Sequence, residues 1–243
     1  YLVRRLLENG ANSSFVNQIV DETVPPEVVA ADPFEQVKTT PNHRISKGPD
    51  LYLPARINAK GFDLGNALVL DAVQSARADF AAHQWSAAPL LAGKAKGDAP
   101  KPVLNPADHA DQPGTVANAT AADVETAFAT AKPWSAPLDT RRAVLNRASD
   151  LLEARHAEIF ALLAREAGKT LLDGVAELRE AVDFLRYYAS QATDEPAAGI
   201  FTCISPWNFP LAIFCGQVSA ALAAGNAVLA KPAEQTPLIA HLA

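Results

Sequence analysis

The stretch FTCISPWNFPLAIFCGQVSAALAAGNAVLAKPAEQTPLI, residues 201–239, most constrains what this chain can fold into. Residues 200–204 form a short β-rich run that stops at Ser205-Pro206, where proline's missing N–H ends a ladder. Leu211, Phe214, Cys215, Val218 and Leu222 then recur at helical spacing and mark one apolar face. Gly225-Asn226 closes that helix as a left-handed cap would, and residues 227–230 read as a buried strand ended by Lys231-Pro232. Strand, helix and strand with short turns make a βαβ crossover, so the two strands are expected to be parallel and adjacent. In such sheets ligands collect beyond the carboxyl ends of the strands. Trp207-Asn208 and Lys231 with Glu234 fall there, so a ligand site is expected on this unit.

Ahead of that unit the pattern is helical. Residues 66–80 carry Leu68, Ala72, Ala76 and Phe80 at helical spacing, residues 89–97 break the pattern, and 101–105 look like a short strand. Asn105-Pro106-Ala107-Asp108 is a turn, with Val116 in a second strand after Gly114. Thr120 caps a helix over 122–131. A further helix is expected to start at Asp139-Thr140, with one long apolar stripe through Val144, Ala148, Leu151, Leu152, Ile159, Leu162 and Leu163. A third helix spans 174–191, and residues 193–198 connect it to the first strand of the βαβ unit. Trp85 and Trp134 are expected to pack.

The front of the chain differs. Residues 1–9 read as a helix stopped by Gly10, followed by a short helix over 15–20 behind the cap Asn12-Ser13-Ser14. Tyr1, Arg4, Arg5 and Glu8 share one face of the first helix. Two neighbouring guanidinium groups could grip a small carboxylate, with Glu8 bracing one of them. A solvated face with an Arg4–Glu8 pair explains the same spacing, and spacing alone favours it. From residue 21 to 54 prolines recur with no sustained period, which is too long for an ordinary loop and reads as an interdomain connection.

Composition narrows the function classes. A net charge of −6 argues against a nucleic-acid surface, which needs a basic balance. No run is apolar and long enough for a spanning helix. Cys203 and Cys215 lie in apolar settings without a CxxC or a His-rich partner, so no metal site is expected and a reducing, cytosolic setting fits. The chain starts at Tyr1 within a helical pattern, ends at Ala243 within another and contains no Met, so it is expected to be a piece of a longer polypeptide. Glu166-Ala167-Gly168-Lys169-Thr170 contains a GKT, but Leu163 stands where a phosphate loop needs glycine. That segment reads as a helix ending at Gly168.

Pro206-Trp207-Asn208-Phe209-Pro210 and Lys231-Pro232-Ala233-Glu234-Gln235-Thr236-Pro237 resemble the cofactor-binding segment of the aldehyde dehydrogenase superfamily. Asn105-Pro106-Ala107-Asp108 and the segment 166–170 are similar to the N-terminal half of that family, so the resemblance covers roughly 102–243. CISPWNFPLAIF and Glu180-Ala181-Val182-Asp183-Phe184-Leu185 look most like the Δ1-pyrroline-5-carboxylate dehydrogenase half of the bacterial proline utilization A family. YLVRRLLENGANSSFVN, residues 1–17, resembles the end of the proline dehydrogenase barrel in the same bifunctional family.

The resemblance implies an α/β fold in three parts. Residues 1–22 would be the C-terminal tail of a (β/α)8 proline dehydrogenase barrel, and 23–65 an interdomain linker. Residues 66–243 would be the truncated N-terminal part of an aldehyde dehydrogenase Rossmann-type NAD-binding domain with leading helices. For the first helix the resemblance favours the carboxylate grip over the solvated face. Arg4 and Arg5 match the pair that binds the carboxylate of proline beside FAD, Tyr1 matches a tyrosine of that pocket, and Glu8 the acidic residue supporting the pair. Asn208 matches the amide donor to the developing oxyanion. Lys231 and Glu234 match residues that bind the adenosine ribose hydroxyls, which favours NAD over NADP. Ile204, Ser205, Pro206 and Trp207 line the cofactor cleft.

The family's nucleophilic cysteine, general-base glutamate and most FAD contacts are not matched by residues of this chain, and the 193–198 connection is shorter than usual. The chain alone is therefore expected to oxidise neither proline nor an aldehyde. The parent enzyme is expected to convert proline through pyrroline-5-carboxylate and glutamate semialdehyde to glutamate, pass electrons to a quinone or other membrane acceptor, and form a homo-oligomer. Its expected location is the cytoplasm, at times on the inner face of the membrane. Two other readings are a single-function NAD-dependent aldehyde dehydrogenase and a non-catalytic binding protein on a truncated dehydrogenase fold.

Overall fold

The computed structural model describes residue 3, residues 15–32, 34, 35, 38 and 46–243. Tyr1, Arg4, Arg5, Glu8 and the expected cap at 12–14 lie outside the described residues. The chain divides into two compact units, Tyr1–Ser46 and Lys47–Ala243. In the first, α1 (Phe15–Val20) lies against α2 (Pro26–Val29). The turn between them is closed by the Asp21 carboxylate, which accepts from the Thr23 N–H at 3.0 Å and its hydroxyl at 2.6 Å. Pro26 opens α2, where its missing N–H costs nothing.

In the second unit the helices are α3 (Ala67–Ala78), α4 (Ala121–Thr130), α5 (Leu138–Ala154), α6 (His156–Ala167), α7 (Leu171–Gln191), α8 (Ala212–Ala223) and α9 (Pro237–Leu242). The strands are β1 (Trp85–Ala87), β2 (Lys101–Val103), β3 (Gly114–Val116), β4 (Ile200–Ile204) and β5 (Ala227–Lys231). A small sheet runs in the order β1-β3-β2, with β1 parallel and β2 antiparallel to β3. A second sheet pairs β4 and β5 in parallel, as the βαβ pattern requires. Gly225, at φ 77°, makes the left-handed turn between α8 and β5.

Capping residues set several boundaries. Asn66 accepts from the Leu68 N–H at the start of α3. Thr120 with Asp123, and Thr170 with Asp173, form capping boxes at α4 and α7. α7 is the central element, packed by α5, α6 and α8. Ile159, Phe160, Leu162, Leu163, Leu178, Val182, Leu211, Leu238 and Ile239 fill the core around it.

Several expectations need correction. The single helix expected from Asp139 onwards is two, because the chain turns at Arg155 (φ −92°, ψ 17°) between α5 and α6. The expected stripe holds at Leu152, Ile159, Leu162 and Leu163 but not at Val144 and Leu151, which are exposed while Arg141, Leu145 and Ser149 face inward. Polar residues hid that face. Arg141 is buried because it donates to the carbonyls of Ala136, Ala223 and Thr193, and Ser149 because its hydroxyl accepts from buried Arg186. Trp85 packs as expected, from strand β1, with its Nε1 donating to Glu158 at 3.0 Å. Finally β5 is only partly buried, with Ala230 and Lys231 exposed.

Residues 47–65 belong to the second compact unit although they show no periodicity. Polar contacts fasten them. Arg56 pairs with Asp183 at 2.6 Å, Ala59 N–H donates to the same carboxylate, and Lys60 N–H donates to Glu153 at 2.7 Å. One guanidinium and two backbone N–H groups make these contacts, and they leave no hydrophobic stripe to read.

Candidate functional site

The β4–β5 register places Ile204 opposite Lys231, so both strands end at the same level. Beyond them, Ser205 N–H donates to the Lys231 carbonyl at 3.1 Å, which keeps the two exits together. Trp207, Asn208 and Phe209 are exposed on one exit. On the other, Lys231 Nζ lies 2.7 Å from Glu234 Oε1, both side chains open to solvent. The ammonium donating to it holds the Glu234 carboxyl below the usual carboxylate range. Trp207 and Ile204 are among the exposed large apolar side chains, at 59% and 65%. Pro206 is half-buried. Ser205 points inward, its hydroxyl donating to Gln217 Oε1 at 3.3 Å. The residues singled out from sequence on this unit are therefore neighbours at one sheet edge.

Two buried glutamates, absent from the sequence-based site, support this edge. Glu177 on α7 accepts from the N–H groups of Leu211 and Ala212 at 3.3 and 2.9 Å, so it serves the first turn of α8. Glu166 on α6 accepts from Leu238 and Ile239 N–H at 2.6 and 2.8 Å and does the same for α9. Neither helix is capped by its own preceding side chain. Burial pushes the Glu166 carboxyl up to about 8 against the pull of the two N–H groups. Burial also raises Glu177, opposed by the Ala212 N–H and by Lys169 at 3.1 Å.

The segment 166–170 thus does more than end a helix. Glu166 caps α9, Gly168 (φ 65°) turns the chain, and Thr170 caps α7. Lys169 Nζ donates to the Asn208 carbonyl at 2.6 Å and lies 4.6 Å from the Phe209 ring centre. A signal was available in the sequence. Glu166 follows Ile159, Leu162 and Leu163 on the apolar face of its helix, and Glu177 sits between Gly174 and Ala181 on the buried face of α7.

Neither cysteine of the chain is placed as a nucleophile. Cys203 is buried in β4 and Cys215 in α8. Burial raises both thiols, Cys215 up to about 12 with the Glu177 carboxylate adding to the shift.

Comparison with known proteins bears on the same residues. Residues 94–243 match the aldehyde dehydrogenase family model. The bifunctional protein PutA of Klebsiella aerogenes is 47% identical over 99% of this chain and 20% of its own length. A 1-pyrroline-5-carboxylate dehydrogenase of Staphylococcus aureus is 37% identical over 57% of this chain and 31% of its own length. A crystallised point mutant of Bradyrhizobium japonicum proline utilization A superposes with a TM-score of 0.70 at 39% identity, over 99% of this chain and 24% of that one. The chain spans about a fifth of the length of the PutA relatives it matches. Since the family match takes in both strand exits and the helices that brace them, this chain belongs to the aldehyde dehydrogenase family.

Proposed function

We propose that the chain supplies the cofactor-binding part of an NAD-dependent aldehyde dehydrogenase site that oxidises glutamate semialdehyde, within a bifunctional enzyme converting proline to glutamate. The observation that carries this is the meeting of Trp207-Asn208 and Lys231–Glu234 at the ends of two adjacent parallel strands. The donor set fits the cofactor. An exposed carboxylate beside an ammonium group offers an acceptor and a donor to a ribose diol, and a fixed negative charge there disfavours a 2′-phosphate. Ile204, Pro206 and Trp207 would line the cleft, with Ser205 contributing backbone because its hydroxyl is turned inward. Bound there, NAD would supply the hydride acceptor. Asn208 would donate its side-chain amide to the oxyanion that develops on the substrate carbonyl. The thiolate that attacks is not one of this chain's cysteines.

The proline-oxidising half of the reading rests on Tyr1, Arg4, Arg5 and Glu8 as a carboxylate grip beside FAD. Support comes from their sequence likeness and from the relatives that align with 99% of this chain under the name of a bifunctional protein. The tail of a proline dehydrogenase barrel at residues 1–22, a homo-oligomer, a quinone acceptor and a cytoplasmic or membrane-peripheral location belong to the same proposal.

Glu234→Gln tests the cofactor assignment. Losing a charge-assisted hydrogen bond worth about 1.5–3 kcal/mol weakens NAD about ten- to hundredfold and narrows the preference over NADP. Quenching of tryptophan fluorescence on titration with each dinucleotide reads both affinities. Equal affinity of the unsubstituted protein for NAD and NADP, or NAD affinity unchanged by Glu234→Gln, would reject the assignment.

A further inference from the structure

Residues 205–211, which link β4 to α8 and carry the candidate oxyanion donor, form no helix or strand. An amide that must meet a developing charge cannot be left to a free loop, since a misplacement of about 1 Å costs about a hundredfold in rate. One ion pair restrains this loop. Lys169 Nζ donates to the Asn208 carbonyl at 2.6 Å and sits against the Phe209 ring, and Glu177 Oε1 lies 3.1 Å from the same ammonium. The other oxygen of Glu177 takes the Leu211 and Ala212 N–H groups. Positions 208, 209, 211 and 212 are thus gripped by two side chains that are 16% and 1% exposed. Both project from the tightly packed corner between α6 and α7.

We propose that Lys169, braced by Glu177, is the positioning residue for Asn208: it fixes the direction of the 208–209 peptide and so the direction in which the Asn208 amide is presented. This rests on the reading of Asn208 as the oxyanion donor. A carbonyl held in place sets the plane of its peptide and with it the position of the Asn208 Cα from which the side-chain amide is presented. Glu177 gives the lysine a fixed counter-charge, so the ammonium does not swing into solvent. Removing the cation leaves Glu177 buried without its partner and the Asn208 carbonyl without its donor.

The test uses the full-length protein with glutamate semialdehyde and NAD, in the variants Lys169→Met, Lys169→Arg, Asn208→Ala and Lys169→Met with Asn208→Ala. Lys169→Met is expected to lower kcat about ten- to hundredfold while KM for NAD stays within about twofold, and Lys169→Arg to recover most of the loss. On the Asn208→Ala background the same lysine change lowers kcat by no more than about twofold, because there is no amide left to misplace. Hydrogen exchange of the Leu211 and Ala212 amides accelerates in Lys169→Met while that of α7 does not. A full penalty on both backgrounds, or an unchanged kcat in Lys169→Met, overturns the role of Lys169. Asn208→Ala with normal kcat overturns the reading of Asn208 and this inference with it; a slow Asn208→Ala beside a fast Lys169→Met overturns this inference alone. If Lys169→Met does not fold, Lys169→Gln is judged by the same criteria.

Discussion

Arg141 offers a quantitative test of how the βαβ unit is held. Its side chain is 4% exposed and donates to three carbonyls, those of Ala136 at 3.1 Å, Ala223 at 2.6 Å and Thr193 at 3.2 Å. Ala223 is the last residue of α8, so the guanidinium also meets the negative end of that helix. Arg141→Met keeps the aliphatic stem and removes every donor. Thr193 adjoins exposed Asp194, so water can replace the lost bond there. The Ala223 carbonyl is buried and costs about 1–3 kcal/mol when left unpaired, and the half-buried Ala136 carbonyl adds about 1 kcal/mol. A total of about 2–4 kcal/mol follows, or a fall in Tm of about 5–15 °C for a unit of this size. Thermal unfolding followed by far-UV circular dichroism measures it, with the exposed Arg147→Met on the same helix as control, expected within about 0.5 kcal/mol of the parent. If Arg141→Met melts within about 2 °C of the Arg147→Met control, the buried guanidinium is not what ties α5 to α8.

Glu166 makes stability depend on pH in a direction opposite to that of most carboxylates. Its folded pKa, raised from 4.5 to about 8, means that the folded state holds a proton the unfolded state releases, so its contribution is full below about pH 4.5 and is lost as pH rises towards 8, by about 1.4 kcal/mol per unit. The urea midpoint of the parent should therefore fall relative to that of Glu166→Gln between pH 5 and pH 8, and a difference independent of pH would contradict the assignment. Cys203 and Cys215 should resist thiol-specific alkylation at pH 7.5 until the chain is unfolded, and mass spectrometry of the native protein counts the adducts. For the same reason the purified 243-residue chain should reduce no NAD with pyrroline-5-carboxylate, and a measurable rate of NADH formation would refute the placement of the nucleophile outside it.

The βαβ unit was readable because punctuation and periodicity agree in it. Ser205-Pro206, Gly225-Asn226 and Lys231-Pro232 stand where one local rule each predicts a boundary, and β4, α8 and β5 end within a residue or two of them. The inward face of α5 was not readable. Arg141 and Ser149 look like solvent residues until Ala223 and Arg186, distant in sequence, bring them partners. At the site the difference is similar. Trp207, Asn208, Lys231 and Glu234 follow from strand ends, which are local features. Lys169 was hidden within a GKT that fails as a phosphate loop, and nothing in its neighbourhood announces the Asn208 carbonyl it binds.

The same cause explains why both missed carboxylates are glutamates that serve another element's first turn. α8 follows Leu211, which has no side-chain oxygen, and the buried hydroxyl of Thr236 makes no hydrogen bond ahead of α9. Their first amides can be satisfied only from outside, by Glu177 and Glu166 respectively. Each glutamate is desolvated to do so, and each is tolerable only when the helix terminus it serves has docked. The starts of α8 and α9 are therefore completed by side chains of α7 and α6. A sequence reading finds the exits because they are local; it misses what holds them because that is supplied at tertiary assembly.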